Sequence, residues 1–245
     1  MHQRHQLFGV ALDPLTMDET LAHCRRLIEA RTPVQHVVLN AGKVVQMADD
    51  PGLREIIRNC ALVNADGISV VWAGRLLGVP IPERVTGIDL MERLLAVAAV
   101  EAWPVFFLGA RREVLEEFVR VVRQRHPDLP LAGYRHGYFS DDRAVAEEIA
   151  ASGARLLFVG ISSPRKERFV AENLSRLGPV FAMGVGGSFD VWAGRTRRAP
   201  SWMQRIGLEW LYRLLLEPRR MWKRYLIGNV RFLRMVLGDW WRSRR

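Results

Sequence analysis

Residues 156–185, LLFVGISSPRKERFVAENLSRLGPVFAMGV, decide the fold. The apolar run Leu156–Ile161 gives way to Ser162 and Ser163, the amphipathic segment Pro164–Leu177 follows, and Gly178-Pro179 leads into a second apolar run, Val180–Val185. Two continuous apolar strands separated by one helix-length segment make a βαβ unit, and a crossover of that length makes the two strands parallel. Outward from this unit the alternation repeats. Leu7–Ala11, His36–Asn40, Leu62–Ala65, Val105–Gly109 and Leu131–Tyr134 read as strands, while Met17–Ala30, Ile88–Val100, Arg112–His126 and Ala144–Ala151 read as helices. The sequence therefore predicts an α/β fold, a Rossmann-like, mostly parallel sheet flanked by helices, over residues 1–195. In open sheets of this kind ligands lie beyond the carboxyl ends of the strands, so residues just after each strand are the candidates for chemistry.

After Ala193 the pattern changes. Two helical segments, about Ser201–Leu216 and Pro218–Val236, follow with no strand between them, and Pro218 suits the first turn of the second. Residues 196–245 hold 13 Lys and Arg against three acids, Glu209, Glu217 and Asp239, and carry five of the eight tryptophans. That net of +10 equals the charge of the whole 245-residue chain, so residues 1–195 are neutral. At about 100° per residue Arg220, Lys223, Arg224, Arg231 and Arg234 share one side of the second helix, with Met221, Trp222, Tyr225, Leu226, Phe232, Leu233 and Val236 largely on the other. A basic amphipathic helix with aromatics suits an anionic membrane surface. The alternative packs it on its own domain or on a second subunit of a homo-oligomer, with the basic face simply solvated.

With 49% hydrophobic and 25% charged residues the chain is neither disordered nor collagen-like, and Cys24 and Cys60 are too few for a disulfide framework. They also lack metal-ligand spacing, as do the six histidines. No apolar run reaches the roughly 18 residues of a membrane span. The first residues, MHQRHQLFGVALD, carry no secretory apolar stretch, so export is not expected.

Three turns after strands stand out. Asn64-Ala65-Asp66-Gly67 puts a carboxylate at a strand's end, where Asp66 serves as a general base or simply caps the next helix, and Gly67 permits close approach of a substrate. Gly160-Ile161-Ser162-Ser163-Pro164-Arg165-Lys166-Glu167 offers backbone N–H groups and Lys166 to a phosphate, or is a plain Ser-Pro helix start. Gly184-Val185-Gly186-Gly187-Ser188-Phe189-Asp190 is a glycine-rich turn that lacks the dinucleotide fingerprint and is not a P-loop. There is no Asp-x-Asp pair for a divalent metal; Asp49-Asp50 and Asp141-Asp142 read as turn or cap residues.

Together these blocks resemble the WecG/TagA/CpsF family, glycosyltransferase family 26, from about Phe8 to Leu237. The resemblance is carried by Leu39-Asn40-Ala41, Ala65-Asp66-Gly67, Arg84-Val85-Thr86-Gly87-Ile88-Asp89-Leu90, Gly137-Tyr138-Phe139, Pro164–Glu167 and Gly184–Asp190. In the tail it is carried by Arg198-Ala199-Pro200, Gly207-Leu208-Glu209-Trp210, Arg213-Leu214 and Glu217-Pro218-Arg219-Arg220. It implies an inverting transfer, with no metal or other cofactor, of a sugar from a UDP-sugar to a polyprenyl-diphosphate-linked saccharide. Such transfers occur on the cytoplasmic face of the bacterial plasma membrane during cell-surface polysaccharide synthesis.

By the same resemblance Asp66 is the base. Asn40 and Arg84 line the donor and acceptor site, with Gly67, Thr86, Asp89, Gly160, Lys166, Glu167, Gly186 and Asp190 in the matching blocks. Arg213, Arg220 and Arg224 are the candidates for the acceptor's diphosphate, and residues 196–245 become a membrane-associating appendage. Two departures concern the donor, which in the family is N-acetylmannosamine, its uronic acid or glucose. Lys166 stands where many members have Gln, and Val38 where a threonine is common. The rival reading, a nucleic-acid-binding module gripping phosphates with the basic aromatic tail, is disfavoured by the neutrality of residues 1–195.

Overall fold

The computed structural model describes residues 2–216 and 218–243; the side chains of residues 205, 213, 219–221, 223–226 and 243 lie outside the description. The three arginines expected on a lipid-linked diphosphate, Arg213, Arg220 and Arg224, are among these, so their side chains are outside the described set.

In chain order the elements are β1 (His5–Leu7), β2 (Val10–Leu12), α1 (Met17–Glu29), β3 (Val34–Leu39), α2 (Ala41–Asp49), α3 (Pro51–Arg58), β4 (Leu62–Ala65), α4 (Ile68–Leu76), α5 (Gly87–Val100) and β5 (Val105–Gly109). They continue with α6 (Arg112–Arg125), β6 (Leu131–Arg135), α7 (Asp142–Ala151), β7 (Leu156–Gly160), α8 (Arg165–Asn173), β8 (Phe181–Gly184), α9 (Ser188–Trp192), α10 (Ser201–Arg205), α11 (Glu209–Leu216) and α12 (Pro218–Ser243). Six strands form one sheet in the order β4-β3-β8-β7-β5-β6, and every neighbouring pair is parallel. The expected α/β architecture is what the chain adopts.

Alternation along the strands divides the core into two faces. Val105, Phe107, Phe158, Phe181 and Met183 pack beneath α1, α5, α6 and α9. Phe106, Leu108, Leu157, Val159 and Ala182 face α7 and α8, and Val37, Leu39, Val63 and Ala65 face α2, α3 and α4. With helices on both faces the strands other than the edge strand β6 are buried on both sides, which is why they read as unbroken apolar runs. The outer edge of β4 is closed by Asp13: its N–H donates to the Val63 carbonyl at 2.8 Å, and its carboxylate accepts from the Val63 N–H at 2.7 Å. An edge covered in this way offers no template for a further strand.

Two local expectations are corrected. Leu7–Ala11 is not one strand but the middle of the antiparallel β1-β2 hairpin, turned by Phe8 and Gly9 with φ of 53° and 77°. Positive φ at both central residues is what a two-residue hairpin turn needs. Ser201–Leu216 is not one helix either: it breaks at Ile206-Gly207-Leu208, where Gly207 has φ of 77° and a Cβ would lie 2.6 Å from the Ile68 side chain. Only glycine admits that turn and that approach.

The appendage is not a free arm. On α12, Phe232 and Val236 are buried in the same core cluster as Leu7, Val44 and Val70, and the Phe232 ring lies 5.5 Å from that of Phe8. Arg231 grips Asp49 of α2 with both guanidinium nitrogens at 2.6 and 2.8 Å. The middle of the helix expected to meet a membrane is therefore partly committed to its own domain.

Candidate active site

The parallel order brings the carboxyl ends of β4, β3, β8 and β7 side by side, and with them the Asp66, Asn40, Gly184–Gly186 and Gly160 turns. Asp66 is half-buried, and its N–H donates to the Leu39 carbonyl at 2.8 Å, fixing the turn to the neighbouring strand. The N-cap of α4 is Gly67, so a cap role falls to a residue with no side chain rather than to Asp66. A Cβ on Gly67 would touch the Asn40 Cβ at 3.4 Å, so the two turns pack closely here. Asn40 caps α2: its carbonyl oxygen accepts from the Lys43 N–H at 3.0 Å, leaving the amide NH₂ as the group it can offer a ligand.

Beneath Asp66 lies a buried charge cluster. Lys43 of α2 donates to Glu167 of α8 at 2.6 Å, with side chains 5% and 1% exposed, and Lys166 lies 3.4 Å from the same carboxylate. The stem of Lys166 runs under β8; a Cβ on Gly184 would collide with its Cε at 2.6 Å, so the glycine makes room for the lysine. Burial first, and Lys43 second, lower the Lys166 ammonium to about 8, against the opposing pull of Glu167 and Asp66. Lys166 thus keeps its charge at neutral pH and gives it up as pH rises past about 8. Burial pushes Glu167 upward, but Lys43 and Lys166 more than reverse that and hold it at about 2. Glu167 is expected among the ligand-binding groups; its Oε1 faces the two lysines, while its Oε2 is buried with no hydrogen-bond partner among the described residues.

A second cluster joins the appendage to the segment after α4. The Val85 N–H donates to the carbonyl of Ala65, the residue before Asp66, at 2.8 Å. Arg84 donates to Glu209 of α11 at 2.6 Å and to the Gln204 carbonyl at 3.3 Å. Thr86 caps α5, accepting from the Asp89 N–H at 3.2 Å, and Arg198 forks onto both oxygens of Asp89 at 2.5 and 2.8 Å. Burial opposes ionisation of Asp89, but Arg198 and Thr86 hold its carboxyl below the usual range.

Toward the other edge the turns are lined with glycine. A Cβ on Gly109 would strike the Gly160 backbone at 2.5 Å, and one on Gly137 would lie 3.1 Å from the Gly109 Cα. A Cβ on Gly160 would strike Phe189, and Gly186 has φ of 54°. Here the exposed Tyr138 first, and Glu113 and Asp190 after it, raise the Arg111 guanidinium. The chain runs from β5 outward to β6 but from β7 inward to β8, so this crevice is a switch point of the sheet.

Sequence reasoning missed Lys43, Arg198 and Glu209 as site residues. A charged side chain inside the apolar window Ala41–Val45 is the one signal that pointed to Lys43. Among the described residues no three histidine, cysteine or carboxylate side chains converge as a metal-binding group. Nor, among them, is any helix long and apolar enough to cross a membrane.

A family model described as the glycosyl transferase WecG/TagA/CpsF family matches residues 5–245. A protein of Bacillus spizizenii named N-acetylglucosaminyldiphosphoundecaprenol N-acetyl-beta-D-mannosaminyltransferase is 39% identical over 177 residues, 72% of this chain and 68% of its own length. A protein of Bacillus subtilis with the same name is 38% identical over 173 residues, 70% of this chain and 67% of its own.

Proposed function

Since the chain belongs to the glycosyl transferase WecG/TagA/CpsF family, we propose that it moves a hexose-type sugar from a UDP-sugar to a saccharide carried on polyprenyl diphosphate, with inversion and without a metal ion. The observation that carries this reading is Asp66, held at the end of β4 beside the Asn40 cap and within electrostatic reach of Lys166. A base with a cation within electrostatic reach is what displacement at an anomeric carbon requires. The acceptor oxygen bonds to the anomeric carbon as its proton passes to the Asp66 carboxylate, and the bond to the diphosphate breaks on the opposite face, its electron pair leaving with UDP. Charge growing on the leaving group is met by Lys166, Arg84 and backbone N–H groups near Gly160 and Gly186.

The donor lies along the strand ends. From β4 to β7 is three strand spacings, about 14 Å at about 4.8 Å each. On that span we place the sugar at Asp66, the diphosphate over β8 and Lys166, and the uridine in the glycine crevice near Tyr138 and Asp190. Because the two Bacillus relatives are named N-acetyl-beta-D-mannosaminyltransferases, N-acetylmannosamine is the donor sugar we infer first. To test this, purified protein would be incubated with a panel of UDP-sugars and a short-chain polyprenyl-diphosphate saccharide, with products read by mass spectrometry. One UDP-sugar should add one sugar mass. Salt-sensitive binding to single-stranded DNA with no transfer from any UDP-sugar would instead favour the nucleic-acid reading.

The work takes place on the inner face of the plasma membrane, against anionic lipid. On α12 the packed residues Phe232, Met235 and Val236 lie on one side, while Trp222, Val230, Leu233, Leu237 and Trp241 are exposed within an arc of about 100° on a roughly opposite one. A helix with a second, outward apolar stripe beside its arginines has what an interfacial helix needs. Because Phe232 and Val236 also seal the core, the informative change is at the surface and not a truncation. Replacing Trp222, Leu233 and Leu237 together by Ser should leave the melting temperature near normal and abolish cosedimentation with phosphatidylglycerol vesicles. Undiminished cosedimentation would remove this stripe from membrane contact.

A further inference from the structure

We propose that Glu209 and Arg198 of the appendage are positioning residues for sugar transfer: they hold Arg84 and the Thr86–Asp89 turn in place beside Asp66. The proposal rests on the transferase reading and adds a role for two residues that the reading leaves without one.

The geometry is a line of alternating charge, Arg84 to Glu209 to Arg198 to Asp89, closed into a ring through the Thr86 hydroxyl and the backbone from Thr86 to Arg84. Arg84 donates to one oxygen of Glu209 at 2.6 Å, and Arg198 reaches the other at 3.4 Å. Arg198 then forks onto Asp89, whose carboxylate also accepts from the Thr86 hydroxyl at 2.5 Å. Two guanidinium groups and two carboxylates leave no net charge. All four side chains keep only partial exposure, 18% for Arg84 and Glu209, 20% for Arg198 and 36% for Asp89. Pairs this shielded hold their geometry better than surface pairs.

The ring is tied to the reacting centre on one side and to the appendage on the other. Between Arg84 and Thr86, the N–H of Val85 is bonded to Ala65, next to Asp66. Between Arg198 and Glu209, Gln204 turns its carbonyl to Arg84 and its amide to the Ala199 carbonyl at 2.6 Å. Gly207 seats that turn on Ile68, at the start of the helix that Asp66 precedes. An arginine with four rotatable side-chain bonds is otherwise a poorly fixed group. Two of its nitrogens are anchored here by the appendage, and the rest of the fork is thereby aimed.

The consequence separates this role from anchoring to a membrane. If the appendage served only to bring the enzyme to lipid, a water-soluble, short-chain acceptor would make Glu209 dispensable. As a positioning residue it stays necessary when no membrane is present. Misplacing a catalytic contact by about 1 Å can cost about 10²-fold in rate.

The test is Glu209→Gln, which keeps the shape of the side chain and removes its charge, assayed with the short-chain acceptor in the absence of vesicles. The expected result is a kcat lower by about 10- to 100-fold, with UDP-sugar KM changed less, and vesicle binding and melting temperature close to those of the unchanged protein. Arg198→Lys, which keeps the charge and loses the fork, should show the same pattern more mildly. Unchanged kcat in Glu209→Gln overturns the proposal, and so does a loss of kcat matched by a fall in melting temperature. A second readout does not need turnover: the Arg84 Nε–Hε signal in NMR should report an immobile side chain in the unchanged protein and a mobile one in Glu209→Gln. Equal mobility in both also overturns it. If the unchanged protein transfers no sugar at all while the Arg84 signal behaves as expected, the transferase reading fails, and what stands is the anchoring of Arg84 by Glu209.

Discussion

Asp66→Asn should fold, bind UDP and transfer sugar about 10²–10⁴-fold more slowly than the unchanged protein, the usual cost of losing a general base. The substitution preserves shape and removes the negative charge together with the proton acceptor. The turn itself should survive, because it is fixed by the Asp66 N–H on the Leu39 carbonyl and by the packing of Gly67 on Asn40, neither of which involves the carboxylate. The cap of α4 should be untouched as well, since the capping position is Gly67. Calorimetry with UDP would check binding, and single-turnover assays with a UDP-sugar and a short-chain acceptor would isolate the chemical step. Near-normal turnover would remove Asp66 from the role of base. The neighbouring cation should respond too, because Asp66 raises the Lys166 ammonium and its loss lowers it. The alkaline limb of UDP affinity in Asp66→Asn should therefore begin below pH 8.

The sheet was legible because its strands other than β6 are buried on both faces: runs such as Leu156–Ile161 and Val180–Val185 have no polar alternation to confuse with a surface strand. Val105–Gly109 and Leu62–Ala65 are bounded as expected for the same reason. What escaped was local chemistry shorter than a helical or strand period. Phe8-Gly9 turns a hairpin inside five residues that read as one strand, and Gly207 breaks a helix because Ile68, far away in sequence, lies against it. The site was half legible. Turns after strands pointed to Asp66, Lys166 and Gly186, since in a parallel sheet all such turns lie at one edge. The same reading expected ligands at Glu167, Thr86 and Asp89, where the structure shows an ion pair, a helix cap and an arginine fork. A capping or pairing role depends on where another chain segment arrives, and sequence does not show that. Arg84 and Glu209 are 125 positions apart, and no periodicity connects them.

Glu167→Ala should destabilise the protein by about 3–5 kcal/mol, the usual cost of stranding a buried charge. Lys43 is 5% exposed and would lose its 2.6 Å partner, and Lys166 would lose its nearest carboxylate. Urea denaturation should show a lower midpoint with an unchanged slope. Combining Glu167→Met with Lys43→Met should recover much of the loss, because an apolar pair of similar volume does not leave a charge in the interior. The pH dependence has a definite sign. Glu167 is lowered from its ordinary 4.5 to about 2, so its contribution is fully present above about pH 4.5 and is lost as pH falls toward 2. Glu167→Gln should be less stable at neutral pH and should approach the unchanged protein at pH 2. The pair also reaches into function. Glu167 raises the Lys166 ammonium against the pull of burial and of Lys43. Without it Lys166 would lose its proton at a lower pH than in the unchanged protein. A Glu167→Gln protein that remains folded at low temperature should therefore bind UDP weakly at pH 7.5 and recover toward pH 6. Equal affinity at the two pH values would leave the cluster structural and take Lys166 out of the phosphate site.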